Sequence, residues 1–248
     1  MKPIIVANWK MNPQTLAEAK ALFNVIKKSA SGAKDLEIVI CPPFPFITNF
    51  QSQILNLKLG AQDCFWEEAG AFTGEVSPVM LKNLGCEYVI LGHSERILAG
   101  ETRKMVNKKI KAVLASKLKV ILCVGETKEQ RGEELANKVI KEELKQSLRG
   151  VDFKFSSQLI IAYEPIWAIG EKDSCDIATA IQARGQIKKF LAKIFKRSLA
   201  EKIKIIYGGS VTGANARDFV SVAGFKGILV GTASLDKEEF TKIIKNFG

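Results

Sequence analysis

Residues 162–171 read AYEPIWAIGE, placing a carboxylate, Glu164, after an apolar run and ahead of a proline and a tryptophan. The run Leu159, Ile160, Ile161, Ala162 has the continuous apolar character of a strand buried on both faces. Its acid therefore stands where a buried element reaches the surface. Such a carboxylate is either a solvated strand end or a general base covered by the segment that follows, and shelter from water makes a carboxylate a stronger base. The single histidine, His93, holds a similar position in ILGHSERI, where an apolar run opens into a turn rich in Ser and Glu. Amides at a helix start disfavour an imidazolium, while a neutral ring can still donate a hydrogen bond to a carbonyl oxygen. Lys10 follows Trp9 at the end of the first apolar run, with Asn8 nearby, and an ammonium there can hold a substrate anion. Together these groups are capable of proton transfer and anion binding.

Two further segments suit an anion. YGGSVTG (207–213) and VGTAS (230–234) join glycines to hydroxyls ahead of helix starts, and their backbone N–H groups are unobstructed by side chains. That is the physics of a phosphate cradle. One glycine turn is common in any loop; two, on adjacent strands, are more specific. Glu95 reads as a structural partner of Lys10 or of its own turn. Glu126, in CVGET, reads as a member of a rim ion pair rather than a catalyst.

The elements that must position these residues form one repeated alternation. β-Branched runs occur at 3–9, 36–41, 57–62, 86–93, 118–125, 158–164, 203–209 and 226–232, mostly separated by amphipathic stretches. In the sixth such stretch Ile177, Ile181, Ile187, Leu191 and Ile194 mark one face, with Lys188, Lys189 and Lys193 on the other. The intervals after Cys41 and after Gln62 are shorter and more loop-like. Strands joined by helical crossovers build a parallel sheet. Eight such units within 248 residues predict an α/β fold, a (β/α)8 barrel spanning 1–248 as a single domain. The rival, a doubly wound open sheet, lacks its usual fingerprint: neither G-x-G-x-x-G nor a P-loop occurs. A barrel places chemistry at the carboxyl ends of its strands, where Asn8, Lys10, His93, Glu164 and both glycine turns fall.

The net charge is +11, but the lysines alternate with apolar residues at helical spacing, as on solvated outer faces, and no recognition motif accompanies them. Nucleic acid is not an expected partner, though a basic field favours encounter with a small anion. No stretch approaches the roughly 20 apolar residues that span a bilayer. The five cysteines form no Cys-x-x-Cys pair, and with one histidine neither a zinc site nor any other metal is expected. Reduced thiols and the lack of a signal-like start point to the cytoplasm. The third loop, DCFWEEAGAFTGEVS (63–77), carries Phe65, Trp66 and Phe72, which a lone subunit would leave largely in water.

The segments ANWKMN, GAFTGEVS, LGHSER, AYEPIWAIG, YGGSV and LVGTASL, in this order along essentially the whole chain, resemble those of the triosephosphate isomerase family. The resemblance implies a TIM barrel that interconverts dihydroxyacetone phosphate and D-glyceraldehyde 3-phosphate, in glycolysis and gluconeogenesis, without cofactor or metal. It implies Glu164 as the base, His93 as the neutral electrophile and Lys10 as the cation stabilising the enediolate, with Asn8 beside it. It assigns the backbone amides of Gly170, Ser210, Gly231 and Thr232 to the phosphate cradle and segment 165–175 to a lid. It further implies a homodimer through loop 63–77, with Thr73 reaching the partner's site near Asn8 and Glu95. The chain departs from the family pattern at IGEKDSCD, where IGTGK is usual, at Thr232, where a glycine is usual, and in a shorter loop after HSER. Two other chemistries compete on residues alone: a glycosidase using Glu95 and Glu164, and a Schiff-base aldolase using Lys10. A barrel kept only for binding is the non-enzymatic alternative.

Overall fold

The computed structural model describes residues 2–50, 56–169 and 175–247. Its strands close into one barrel in chain order: β1 (Ile4–Asn8), β2 (Glu37–Cys41), β3 (Leu57–Ala61), β4 (Cys86–Leu91), β5 (Lys119–Val124), β6 (Leu159–Tyr163), β7 (Lys204–Tyr207) and β8 (Gly227–Val230). All neighbouring pairs are parallel, which requires a crossover after each strand. The crossovers hold α1 (Leu16–Gly32), α2 (Pro78–Asn83), α3 (Ser94–Leu98), α4 (Arg103–Ala115), α5 (Lys128–Gly132) and α6 (Ala136–Ser147). They continue with α7 (Ile177–Ile194), α8 (Arg197–Ala200), α9 (Ala216–Ser221) and α10 (Lys237–Lys245). After β2 the crossover contains only a 3-10 turn, Phe44–Asn49, and after β3 a long loop precedes the short α2, matching the loop-like intervals of the sequence.

Local chemistry sets the helix starts. Thr15 and Glu18 form a reciprocal capping box on α1, Thr102 caps α4, and Asp176 caps α7. On α7 the buried face is Ala180, Ala183, Ile187 and Leu191, whereas Ile181, expected on that face, is exposed. At about 100° per residue Ile181 lies roughly 120° around the helix from Ile187, too far to share its face. Two small alanines take its place against the barrel wall.

Strand side chains alternate between two cores. Inward residues such as Ile4, Val6, Ile90, Cys123, Ala162 and Leu229 fill the barrel interior, while their neighbours Ile5, Ala7, Val89, Val124, Ile161 and Val230 pack under the helices. Burial on both faces explains why the runs are apolar without alternation. Every strand except β2 stops short of the end of its apolar run, so the next inward positions lie at the barrel mouth. These include Gln62 after Gly60, Gly92 after Ile90, Gly125 after Cys123, Glu164 after Ala162, Gly208 after Ile206 and Gly231 after Leu229, level with Asn8 at the last position of β1. One layer above the apolar interior, the wall presents amides, an acid and several glycines.

The barrel closes where β8 meets β1, with Ile4 opposite Gly227 and Ala7 opposite Val230. Gly227 has φ +153°, and a Cβ on it would lie 2.0 Å from the Ile4 carbonyl oxygen. A side chain here must push the two strands apart. Gly227→Ala is expected to cost at least about 2 kcal/mol in urea unfolding, on the scale of overpacked cores. A wild-type unfolding midpoint in this variant would show that the seam tolerates a methyl group.

Candidate functional site

Glu164 stands one residue past β6. Its N–H donates to the Val124 carbonyl at 2.8 Å, so its backbone is still held by the barrel although its side chain is free of the strand. The carboxylate is buried, with 3% of the side chain exposed. Its Oε2 accepts one long hydrogen bond, 3.4 Å, from the N–H of Ser94, the first residue of α3 and a donor that helix geometry leaves without a partner. Its Oε1 lies 3.4 Å from Nε2 of His93.

His93 is the N-cap of α3, the helix start expected from the sequence. Its Nδ1 accepts from the Glu95 N–H at 3.2 Å. A nitrogen that accepts from an amide carries no proton, so the proton of the neutral ring is on Nε2, on the side of Glu164. Glu95 is half exposed and approaches the other edge of the ring, its Oε2 3.8 Å from Nδ1. Glu95 and Glu164 thus lie on opposite sides of one imidazole rather than flanking a shared space, which disfavours the two-carboxylate reading.

Lys10 adopts φ 54°, rare for a side chain of this kind, and local bonds hold it there. Its N–H donates to Asn8 Oδ1 at 3.1 Å, and its carbonyl accepts from Gln62 Nε2 at 2.7 Å. The same Gln62 nitrogen donates to the Cys41 carbonyl at 2.9 Å, tying the ends of β1, β2 and β3 together. The Lys10 ammonium meets Glu95 Oε1 at 2.5 Å, an ion pair that suits a charge-stabilising cation and not an amine nucleophile.

Asn8, Lys10, His93 and Glu164 share a cavity of about 490 Å³ with Ser210, Gly231 and Thr232 from the turns after β7 and β8. The glycines make room for it. A Cβ on Gly208 would come within 2.9 Å of Glu164 Cγ, and one on Gly231 within 3.3 Å of Lys10 Cε. The later amides of the β7 turn shape the turn itself: Thr212 N–H donates to Asn215 Oδ1 at 2.8 Å and Gly213 N–H to Glu239 Oε1 at 2.6 Å. The Gly231 carbonyl accepts from Ser234 Oγ at 2.6 Å, and a 3-10 turn starts at Thr232, so a threonine fits where the family usually has glycine. Gly170, the remaining cradle residue expected, lies outside the described residues, as do 171–174 of the expected lid.

Glu126 does join an ion pair, as its sequence reading has it, but not on an exposed rim. It is fully buried; its Oε1 accepts from Tyr163 OH at 3.0 Å and Trp167 Nε1 at 2.9 Å, closer than Arg131 at 3.6 Å. It anchors the tryptophan, which Arg131 also covers at 4.6 Å from the ring centre. Gln62 and the Ser94 amide were not singled out from sequence. Strand parity would have found Gln62, since it continues the inward row of β3. Among the described residues no three or more His, Cys, Asp or Glu side chains are grouped to hold a metal ion.

The sequence model of triosephosphate isomerase matches residues 3–247. The triosephosphate isomerase of Dictyoglomus turgidum is 41% identical over 248 residues, covering 99% of each chain. That of Aquifex aeolicus is 42% identical over the full length of both chains, and that of Endomicrobium trichonymphae 41% identical over 98% of each. The barrel, the cavity at its carboxyl end and these full-length matches agree: the chain belongs to the triosephosphate isomerase family.

Proposed function

We propose that this chain interconverts dihydroxyacetone phosphate and D-glyceraldehyde 3-phosphate, serving glycolysis and, in the reverse direction, gluconeogenesis, through Glu164, His93 and Lys10. The observation that carries the reading is the pairing of a buried carboxylate with an Nε2-protonated imidazole 3.4 Å away, in a cavity that also holds Lys10. The substrate's phosphate sits against the turns of Ser210, Gly231 and Thr232. Its carbonyl lies toward His93 and Lys10, with Asn8 below.

Glu164 leaves the Ser94 amide and takes a proton from the carbon bearing the hydroxyl. The electrons of that C–H bond form the enediolate, whose oxygen charge meets the His93 Nε2–H and the Lys10 ammonium. This follows the acid–base scheme established for the family. The carboxylic acid then returns its proton to the neighbouring carbon while the imidazole moves a proton between the two oxygens. Electrons stay within the substrate, so the reaction calls for no redox cofactor. Donors placed where the oxygen charge develops each contribute on the order of 10²–10³ in rate.

Residues 1–248 are read as one barrel domain. Its five cysteines are all buried free thiols, with burial pushing Cys86 and Cys175 up to about 12, which supports a reducing cytoplasm. Among the described residues no helix is long and apolar enough to cross a membrane. A homodimer through loop 63–77 is supported by surface chemistry around that loop. Phe65 stacks on Trp66 at 4.0 Å and tilts against Phe72 at 4.7 Å. This stacking half-buries Phe65 and Trp66, contrary to the expectation that all three rings face water, and Phe72 alone stays exposed. Met11 and Leu98, beside the site, are 83% and 80% exposed and offer an apolar seat for a partner's loop.

Three measurements test these readings. Glu164→Gln keeps the shape and removes the proton acceptor, so turnover should fall on the order of 10²–10⁴-fold with an unchanged melting curve; near-normal turnover would sink the assignment. Gln62→Leu leaves the Lys10 carbonyl without its Gln62 donor and the Cys41 carbonyl with only the Trp9 N–H, with an expected loss of about 1–3 kcal/mol in urea unfolding together with reduced kcat/KM. If stability and rate both stayed at wild type, Gln62 would not be what holds Lys10. Sedimentation at micromolar concentration should give a dimer, and a fully active monomer would refute the interface.

A further inference from the structure

Where β4 ends, the edge of β5 loses its neighbour. The β4–β5 ladder runs from Tyr88 opposite Lys119 to Leu91 opposite Leu122 and stops, while β5 stays paired with β6 through Val124 and Tyr163. Hydrogen-bonding direction alternates along a strand. The Val124 carbonyl faces β6, where it accepts from Glu164 N–H, so the Cys123 carbonyl and the Gly125 N–H face the side that β4 has left. Buried backbone groups without partners are costly.

Two side chains from the surrounding helices fill the gap. Arg103 Nη1, at the start of α4, donates to the Cys123 carbonyl at 2.9 Å and reaches the Gly92 carbonyl at 3.4 Å. Arg103 Nη2 pairs with Glu143 Oε1, on α6, and Glu143 Oε2 accepts from Gly125 N–H at 2.9 Å. The guanidinium donates where a strand amide would, and the carboxylate accepts where a strand carbonyl would. Both side chains are largely buried, 11% and 16% exposed. Burial pushes the Glu143 carboxyl up, and Arg103 opposes the shift.

The backbone they hold is that of the candidate site. Gly92 immediately precedes His93, and a Cβ on it would lie 2.7 Å from Arg103 Nη1. A Cβ on Gly125 would lie 1.7 Å from the Glu164 carbonyl oxygen. With no side chain to act as a spacer at either position, the backbones beside His93 and Glu164 follow the ion pair directly.

We propose that Arg103 and Glu143 are positioning residues: their ion pair stands in for the missing length of β4 and sets the spacing between His93 and Glu164. The proposal rests on the roles assigned to those two residues above. Neither Arg103 nor Glu143 lines the cavity, so they act through backbone and touch no substrate.

The test uses the full-length enzyme. Arg103→Met combined with Glu143→Met removes both charges together and strands neither. This double variant is expected to melt cooperatively and to lose kcat by about 10- to 100-fold, as for a small misplacement of reacting groups. KM and inhibition by inorganic phosphate should stay close to wild type, because the cradle hangs on β7 and β8. Glu143→Gln, which keeps an acceptor for Gly125 N–H, should retain most of kcat. A folded double variant with wild-type kcat overturns the proposal, and so does a loss of kcat matched by an equal loss of phosphate inhibition, which marks general distortion. Should the double variant not fold, Arg103→Lys decides: it keeps the charge but lacks the fork that reaches Glu143 and Cys123 together. Lowered kcat with unchanged phosphate inhibition then supports the positioning role, and wild-type kcat overturns it. Glu164→Gln run alongside separates the two readings, since full turnover in that variant strikes the site assignment itself and not the ion pair.

Discussion

The hydrogen bond from Glu164 N–H to the Val124 carbonyl, 2.8 Å long, lies one step beyond the last paired residues of β5 and β6, and the mouth of the barrel is organised around it. It keeps the backbone of the acid in the wall while its side chain enters the cavity. Its consequence is crowding. Gly125 on one side and Gly208 on the other each approach Glu164 so closely that a Cβ would collide, with the Glu164 carbonyl oxygen at 1.7 Å in the first case and its Cγ at 2.9 Å in the second. These two glycines of the barrel mouth therefore answer a steric demand set by the acid, and Gly208 leaves its room to the cavity.

Three carboxylates near this mouth differ in what satisfies them. Glu95 is half exposed and joined to the Lys10 ammonium at 2.5 Å. Glu126 is wholly buried but accepts from a tyrosine hydroxyl and an indole N–H, with a guanidinium beyond. Glu164 is nearly as buried as Glu126, and its partners are the Ser94 N–H at 3.4 Å, the Cys123 thiol and the His93 Nε2, also 3.4 Å away. Of the three it alone lines the cavity, and it is held there by a long amide contact, a weak thiol donor and an imidazole rather than by a cation or short hydrogen bonds. The kind of partner, together with position, separates the candidate base from its neighbours.

The barrel was legible in the sequence because strands buried on both faces are written as continuous apolar runs, and all of them recur as strands. The acid, the histidine and the glycine turns were legible because each interrupts such a run at its carboxyl end. Pairings between distant elements were not. Glu126 read as a rim residue because its partners Tyr163 and Trp167 lie 37 and 41 residues away. Arg103 and Glu143, 40 residues apart, look like ordinary charges on amphipathic helices, and no local pattern says that their heads turn inward. Ile181 misled for the opposite reason: an apolar residue on a helix need not lie on the buried face, and only the 100° rotation per residue shows that it does not.

Helix α4 draws these threads together. Its apolar stripe of Val106, Ile110 and Val113 packs on the barrel, and a buried cation stands on each border of that stripe. Arg103 reaches the end of β5, next to the backbone of Glu164. Lys109 reaches the other way, to Asp63 at 2.8 and 2.9 Å and to Glu101, with Arg96 completing the group at 2.8 Å from Asp63. Burial pushes the Asp63 carboxyl up and Lys109 pulls it back, so the charge at the base of loop 63–77 depends on this lysine. An isolated buried charge is expensive, and neither cation can leave its partner without stranding one. One rigid helix thus carries both the bonds that hold the strand end behind the candidate base and those that hold the root of the loop proposed to enter a second subunit. Displacing α4 at either place would therefore move the other, a mechanical link between the candidate base and the root of that loop.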